Sequence, residues 1–158
     1  FPHVAGGRML NTFINTFIDG LIGFFFARKH LDDESKWYNV GRDALVLMKK
    51  WTGMSKMNFI NKLYLLQAEE AFYRNDDSMT MYCYNASVMA AREHRFVNEE
   101  GLAEEKTASY LLNKKMHSEA MIHFINAKKC YETWGASALV QRMDKAIESL
   151  LPFCNEKI

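Results

Sequence analysis

Ala68, Thr80, Tyr84, Ser87 and Ala91 recur forty residues later as Ala108, Ala120, Phe124, Ala127 and Tyr131. In each copy a small residue is followed, twelve positions on, by small and apolar residues at i, i+4, i+7 and i+11, which is one face of an α-helix. The unit is therefore a helical hairpin. A hairpin that cannot bury its apolar face alone must stack on its neighbours. The echo thus predicts an all-α chain of antiparallel helical hairpins, stacked as a tetratricopeptide-like α-solenoid, an architecture that usually presents a surface to something else.

The periodicity of the 158 residues suits about seven helices in one domain. The first runs from about Asn11 to Lys29, and Leu31-Asp32-Asp33-Glu34-Ser35 breaks it with groups suited to capping the next. A second, carrying Trp37, Gly41, Ala44, Leu45, Met48 and Trp51 on one face, is expected to stop near Gly53. Then follow helices at about Lys56–Arg74, Ser78–His94, Asn98–Asn113, His117–Thr133 and Ser137–Leu151, with Asn75-Asp76-Asp77 capping the fourth, Gly135 closing the sixth and Pro152 ending the seventh. Residues 56–94 and 98–134 are the two clean repeats, and 137–151 is a capping helix. Upstream the register fails, because forty residues before Ala68 stands Arg28, so 11–53 reads as a divergent or capping hairpin. Tetratricopeptide units repeat every ~34 residues, so these units carry longer helices or loops.

Composition narrows the partner classes. Twenty Lys and Arg balance nineteen Asp and Glu, which disfavours nucleic acid and anionic membrane surfaces. The basic-aromatic string Lys128-Lys129-Cys130-Tyr131 is too isolated to change that. Three cysteines without metal or redox spacing fit a reducing, cytoplasmic setting. Phe13–Ala27 is the most apolar stretch, but it is shorter than the ~20 residues of a membrane span and contains Asn15 and Asp19. Ile14, Phe17, Ile18, Leu21, Ile22 and Phe25, widened by Phe24 and Phe26, instead predict a helix buried on most sides. A chain opening on Phe1 is expected to be part of a longer protein.

Several strings carry a more specific signal: Lys49-Lys50-Trp51, Met57-Asn58-Phe59, Tyr84-Asn85, Glu99-Glu100-Gly101-Leu102-Ala103-Glu104 and Cys130-Tyr131-Glu132-Thr133-Trp134-Gly135-Ala136. In that order they resemble the helical region after the ATPase-like module (of the STAND or AAA type) of large signalling histidine kinases. Those proteins join a protein-kinase-like domain, an ATPase, a GAF domain and a histidine kinase. Lys56, Asn61 and Gly101 stand where that family usually has proline, histidine and alanine. The resemblance implies regulation and protein contact and brings no active site, since phosphate binding and phosphotransfer belong to other domains of such proteins.

Chemistry sought independently is sparse. Gly6-Gly7-Arg8 lacks the spacing and hydroxyl of a phosphate-binding loop and reads as a flexible entry segment. Glu119 and His123 share a helix face near His117, but without the further carboxylates of a metal site they read as polar surface. Glu69-Glu70, Glu99-Glu100 and Glu104-Glu105 point about 100° apart within each pair and read as solvated surface. Trp51 and Trp134 suit core or capping contacts. No cofactor, metal or enzymatic activity is expected.

The expected function is that of a non-catalytic regulatory or scaffold segment contacting a protein, a peptide or neighbouring domains. An ATPase-assisting helical part and an assembly subunit are the alternatives. If the first helix of each hairpin lines the concave side, Lys62, Glu69 and Tyr73, then Glu105, Ser109 and Asn113, are the exposed candidates for binding. The same positions equally suit plain solvated surface.

Overall fold

The computed structural model describes residues 3–29 and 33–154, with side chains from residue 11 onward. Those residues are helical with short turns and include no strand. Seven helices follow one another: α1 (His3–Arg28), α2 (Glu34–Met54), α3 (Lys56–Tyr73), α4 (Asp77–Glu93), α5 (Val97–Asn113), α6 (His117–Trp134) and α7 (Ser137–Cys154). They form two compact units, Phe1–Cys83 and Tyr84–Ile158, whose boundary lies inside α4.

In the first unit, pairing numbers reveal helix direction. Between α1 and α2, Phe13 meets Trp51, a Cβ on Gly20 would meet Ala44, one on Gly23 would meet Gly41, and Phe26 meets Trp37. One number falls as the other rises, so the helices are antiparallel. Helices α2 and α3 behave alike, through Trp51 with Phe59 and Tyr38 with Tyr73. Along α1 and α3, by contrast, Phe13 meets Phe59 and Arg28 meets Glu69, so the first helix of one hairpin lies parallel to the first helix of the next. In the second unit α5, α6 and α7 pack in sequence, with Tyr131 of α6 against Glu105 of α5 and Lys128 of α6 against Asp144 of α7. All ten residues of the forty-residue echo are buried, at 5% exposure or less.

The turns share one geometry. Asn75, Arg95 and Lys115 have φ of 58°, 59° and 60°, and Gly135 has 80°, so a left-handed residue recurs every twenty residues. The N–H after each reaches back five residues to a helix carbonyl: Asp76 to Ala71, Phe96 to Ala91, Met116 to Leu111 and Ala136 to Tyr131, at 2.9–3.0 Å. These bonds satisfy carbonyls that the helix end leaves open. Helix starts are held as expected by Asp33, which accepts from the Lys36 N–H at 3.2 Å, and by Asp76, which accepts from the Met79 N–H at 3.0 Å.

Helix α2 ends at Met54, next to Gly53 as expected, and Ser55 closes it with its own N–H to the Trp51 carbonyl. Other local expectations are corrected. Pro152 lies inside α7, which runs on to Cys154. Gly6, Gly7 and Arg8 belong to α1 rather than to a loose entry segment. The break expected at Leu31 and Asp32 lies outside the described residues.

The largest correction concerns α1. Phe17, Phe24 and Ala27 are buried, whereas Ile14, Ile18, Ile22 and Phe25 are 40–44% exposed. Glycine chooses the inward face: a Cβ on Gly23 would lie 2.6 Å from the Gly41 backbone nitrogen and 2.8 Å from the Trp37 carbonyl oxygen. Only bare backbone lets α1 approach α2 so closely, and Phe24 is then sealed at 0% exposure.

Because the atoms facing Gly23 are backbone, Gly23→Ala is expected to cost about 1–3 kcal/mol by overpacking. Gly53→Ala has open space around it and should instead stabilise by about 0.5–1 kcal/mol through helix propensity. Urea unfolding of the two variants checks the opposite signs.

Candidate functional site

Helix α3 faces α4 across a groove of about 480 Å³ lined by Tyr64, Gln67, Ala71, Met79 and Tyr82, together with Glu70 and Arg74. A second recess, of about 270 Å³, lies between α2 and α3 and is lined by Arg42, Leu45, Val46, Lys49 and the same Glu70 and Arg74. The shared pair makes them one depression crossing α2, α3 and the start of α4. Its walls carry apolar groups in water, with Val46 59%, Met79 49% and Tyr82 63% exposed.

Polar contacts converge on Glu70. Its Oε1 accepts from Tyr38 Oη at 3.1 Å and from Arg74 Nη2 at 3.0 Å, and Arg42 Nε lies 3.7 Å away. The Tyr38 oxygen in turn accepts from Arg74 Nη2 at 2.7 Å and Arg42 Nη1 at 3.3 Å. Both guanidinium pKa values are pushed above their ordinary range, first by the Tyr38 hydrogen bond, with Glu70 adding to it, so both stay charged at any working pH. Tyr38 also stacks on Tyr73, with centroids 4.8 Å apart.

The six positions named from the sequence are scattered over different environments. Glu69 is 1% exposed rather than a surface group: Arg28 Nη2 donates to its Oε2 at 2.6 Å, Arg28 Nη1 donates to its backbone carbonyl at 3.2 Å, and the guanidinium covers the Phe72 ring at 4.3 Å. The Tyr73 hydroxyl donates to Glu34, a contact that raises its pKa together with burial. Lys62 reaches the Asn58 carbonyl at 3.1 Å. In the second unit, Glu105 accepts from Tyr131 at 2.8 Å and Arg142 at 2.7 Å, Ser109 bonds back to the Glu105 carbonyl at 2.9 Å, and Asn113 is exposed at the end of α5. Glu69 and Tyr73 therefore tie α3 to α1 and α2, and Glu105 ties α5 to α6 and α7. None of the six lines the groove.

The paired carboxylates are also corrected, since Glu104 is buried. His123 Nδ1 lies 2.6 Å from its Oε2, and Arg92 Nη2 lies 3.5 Å from its Oε1. His123 is consequently half-buried and engaged rather than free polar surface. Trp51 packs between Phe13 and Phe59, while Trp134 is 55% exposed. Among the described residues no three or more His, Cys, Asp and Glu side chains are grouped to hold a metal ion. No described helix is long and apolar enough to cross a membrane. Burial, with Glu100 and Glu104 nearby, pushes the Cys130 thiol up to about 11, and burial with Asp76 raises Cys83. Sequence reasoning missed Arg42, Glu70 and Arg74 as a group. The one available signal was the i, i+4 spacing of Glu70 and Arg74.

Removing the carboxylate of Glu69 strands Arg28 beside an apolar ring. Glu69→Ala is expected to cost about 3 kcal/mol or more in chemical denaturation, while Glu70→Ala, whose partners are half in water, costs about 1 kcal/mol or less. Cys130 gives a kinetic prediction. Its thiol pKa rises from 9.0 to about 11, and the thiolate is the reactive form, so alkylation in the folded chain at pH 8 should run about a hundredfold slower than in the unfolded chain. The raised value also means that folding stability is intact below pH 9 and falls as pH rises through about 11, and Cys130→Ala should flatten that fall.

No protein-family model, no curated protein and no solved structure matches this chain.

Proposed function

We propose that this chain is a non-catalytic helical-repeat segment that contacts a partner protein, a peptide or a neighbouring domain, and that it works within a larger cytoplasmic signalling protein. The observation that carries the contact reading is the depression across α2, α3 and α4, where exposed Val46, Met79 and Tyr82 stand beside Arg42 and Arg74. Apolar side chains rimmed by guanidinium groups suit protein association, in which aromatic residues and Arg contribute most. The signalling context rests on the Glu99–Glu104 and Cys130–Ala136 strings. The surface differs from the one expected at Lys62, Glu69 and Tyr73, because two of those side chains already hold α3 in place.

The ring stacks and ion pairs around the groove arise within the fold itself, which supports a rigid contact face over a flexible catalytic one. The exposed α1 stripe of Ile14, Ile18, Ile22 and Phe25 offers a second apolar face to the same kind of partner.

Val46→Asp combined with Tyr82→Ala alters two exposed side chains and is expected to leave the circular dichroism and melting of the chain unchanged. The same double variant, placed in the longer protein, should reduce recovery of its binding partner in a pull-down at least tenfold. Undiminished recovery would overturn the groove as the contact surface, and ATP hydrolysis by the purified chain would overturn the non-catalytic reading.

A further inference from the structure

The recess between α2 and α3 has unbalanced charge. Arg42, Lys49 and Arg74 line it against the single carboxylate of Glu70. The two guanidiniums converge on the same two oxygens, Glu70 Oε1 and Tyr38 Oη, and each is about half exposed, at 46% and 54%. A guanidinium carries five N–H donors in a planar fork that matches a carboxylate. The Glu70 and Tyr38 oxygens engage only part of that donor capacity, and both guanidiniums stay about half open to water.

We infer that this recess seats an acidic side chain of the bound protein segment, clasped between Arg42 and Arg74 with Lys49 at its edge. The inference rests on the contact reading above and names the chemistry of the partner. An extra carboxylate would form charge-assisted hydrogen bonds to both guanidiniums and neutralise the excess charge. The neighbouring wall decides between a peptide and a free anion. Glu70 and Arg74 also line the groove of Tyr64, Met79 and Tyr82, so a group held at the arginines lies beside apolar surface. A peptide covers that surface with the residue next to its Asp or Glu, whereas a small inorganic anion leaves it wet. Asp76 lines the groove and not the recess of Arg42 and Lys49, so the acidic residue is favoured in the recess and the apolar one in the groove.

The test uses the full chain and a fluorescein-labelled peptide of alternating Glu and Leu, compared by anisotropy with its Gln-Leu counterpart. The Glu-Leu peptide is expected to bind at least tenfold more tightly, with affinity falling as salt is added. Arg42→Gln and Arg74→Gln should each weaken it about fivefold, in proportion to a half-exposed ion pair. Glu70→Gln should tighten it, because both guanidiniums lose their internal competitor. That gain is a result a merely structural cluster would not produce. Equal affinity for the Gln-Leu peptide, no binding of the Glu-Leu peptide, or arginine variants that bind as before would each overturn the assignment. So would inorganic phosphate binding as tightly as the peptide in calorimetry. None of those outcomes touches the contact reading, which is tested through Val46 and Tyr82 and the recovery of the partner.

Discussion

Everything in this chain depends on how its helices end. Helices α3, α4, α5 and α6 each give way to a residue in the left-handed conformation, and the next N–H closes back on a carbonyl five residues earlier. Repetition at positions 75, 95, 115 and 135 holds α3 to α7 at 17 or 18 residues each. Within the second unit, consecutive helices of matched length joined by turns this short, α5 to α6 and α6 to α7, pack antiparallel. Three of the four left-handed positions are Asn, Arg and Lys, side chains that adopt that conformation at a cost of about 1 kcal/mol each. Backbone hydrogen bonds in the turn and burial along the helices offset it.

Within that frame, each unit holds a buried carboxylate on the first helix of a hairpin. Glu69 on α3 is held by Arg28 from α1, and Glu104 on α5 is held by His123 from α6 and Arg92 from α4. A buried charge without its partner is strongly unfavourable, so a slip of one helix along another would strand either group. These pairs set register as well as contact. Near Glu69, ring packing adds to the effect, since Arg28 lies over Phe72 and Tyr73 stacks on Tyr38.

The neighbouring residues Glu69 and Glu70 show how one helix serves two purposes. About 100° of rotation separates them. Glu69 turns to α1 and is sealed, whereas Glu70 turns to the depression and gathers Tyr38, Arg42 and Arg74 around a surface open to water. The proposed contact surface is therefore built on side chains already braced by internal hydrogen bonds, which lowers the entropy lost when a partner binds.

Helix count, the turns near 75 and 135, and the ten echo positions in the core were legible in the sequence, because each rests on local rules of spacing, capping and side-chain size. Gly101 is a related case that the sequence did not explain: a Cβ there would stand 2.8 Å from the Tyr131 ring, thirty residues on. The candidate site was not legible. Glu69 looked like surface because a carboxylate normally is, and only Arg28, forty-one residues away, makes its burial tolerable. The aliphatic stripe of α1 looked like core, yet Gly23 and Gly41 brought the opposite face inward by permitting backbone contact. Periodicity alone determined that this chain is a series of helical hairpins. Tertiary structure decided which faces were buried and which charges met, because pairing across helices depends on residues far apart in sequence whose steric and electrostatic fit no local pattern encodes.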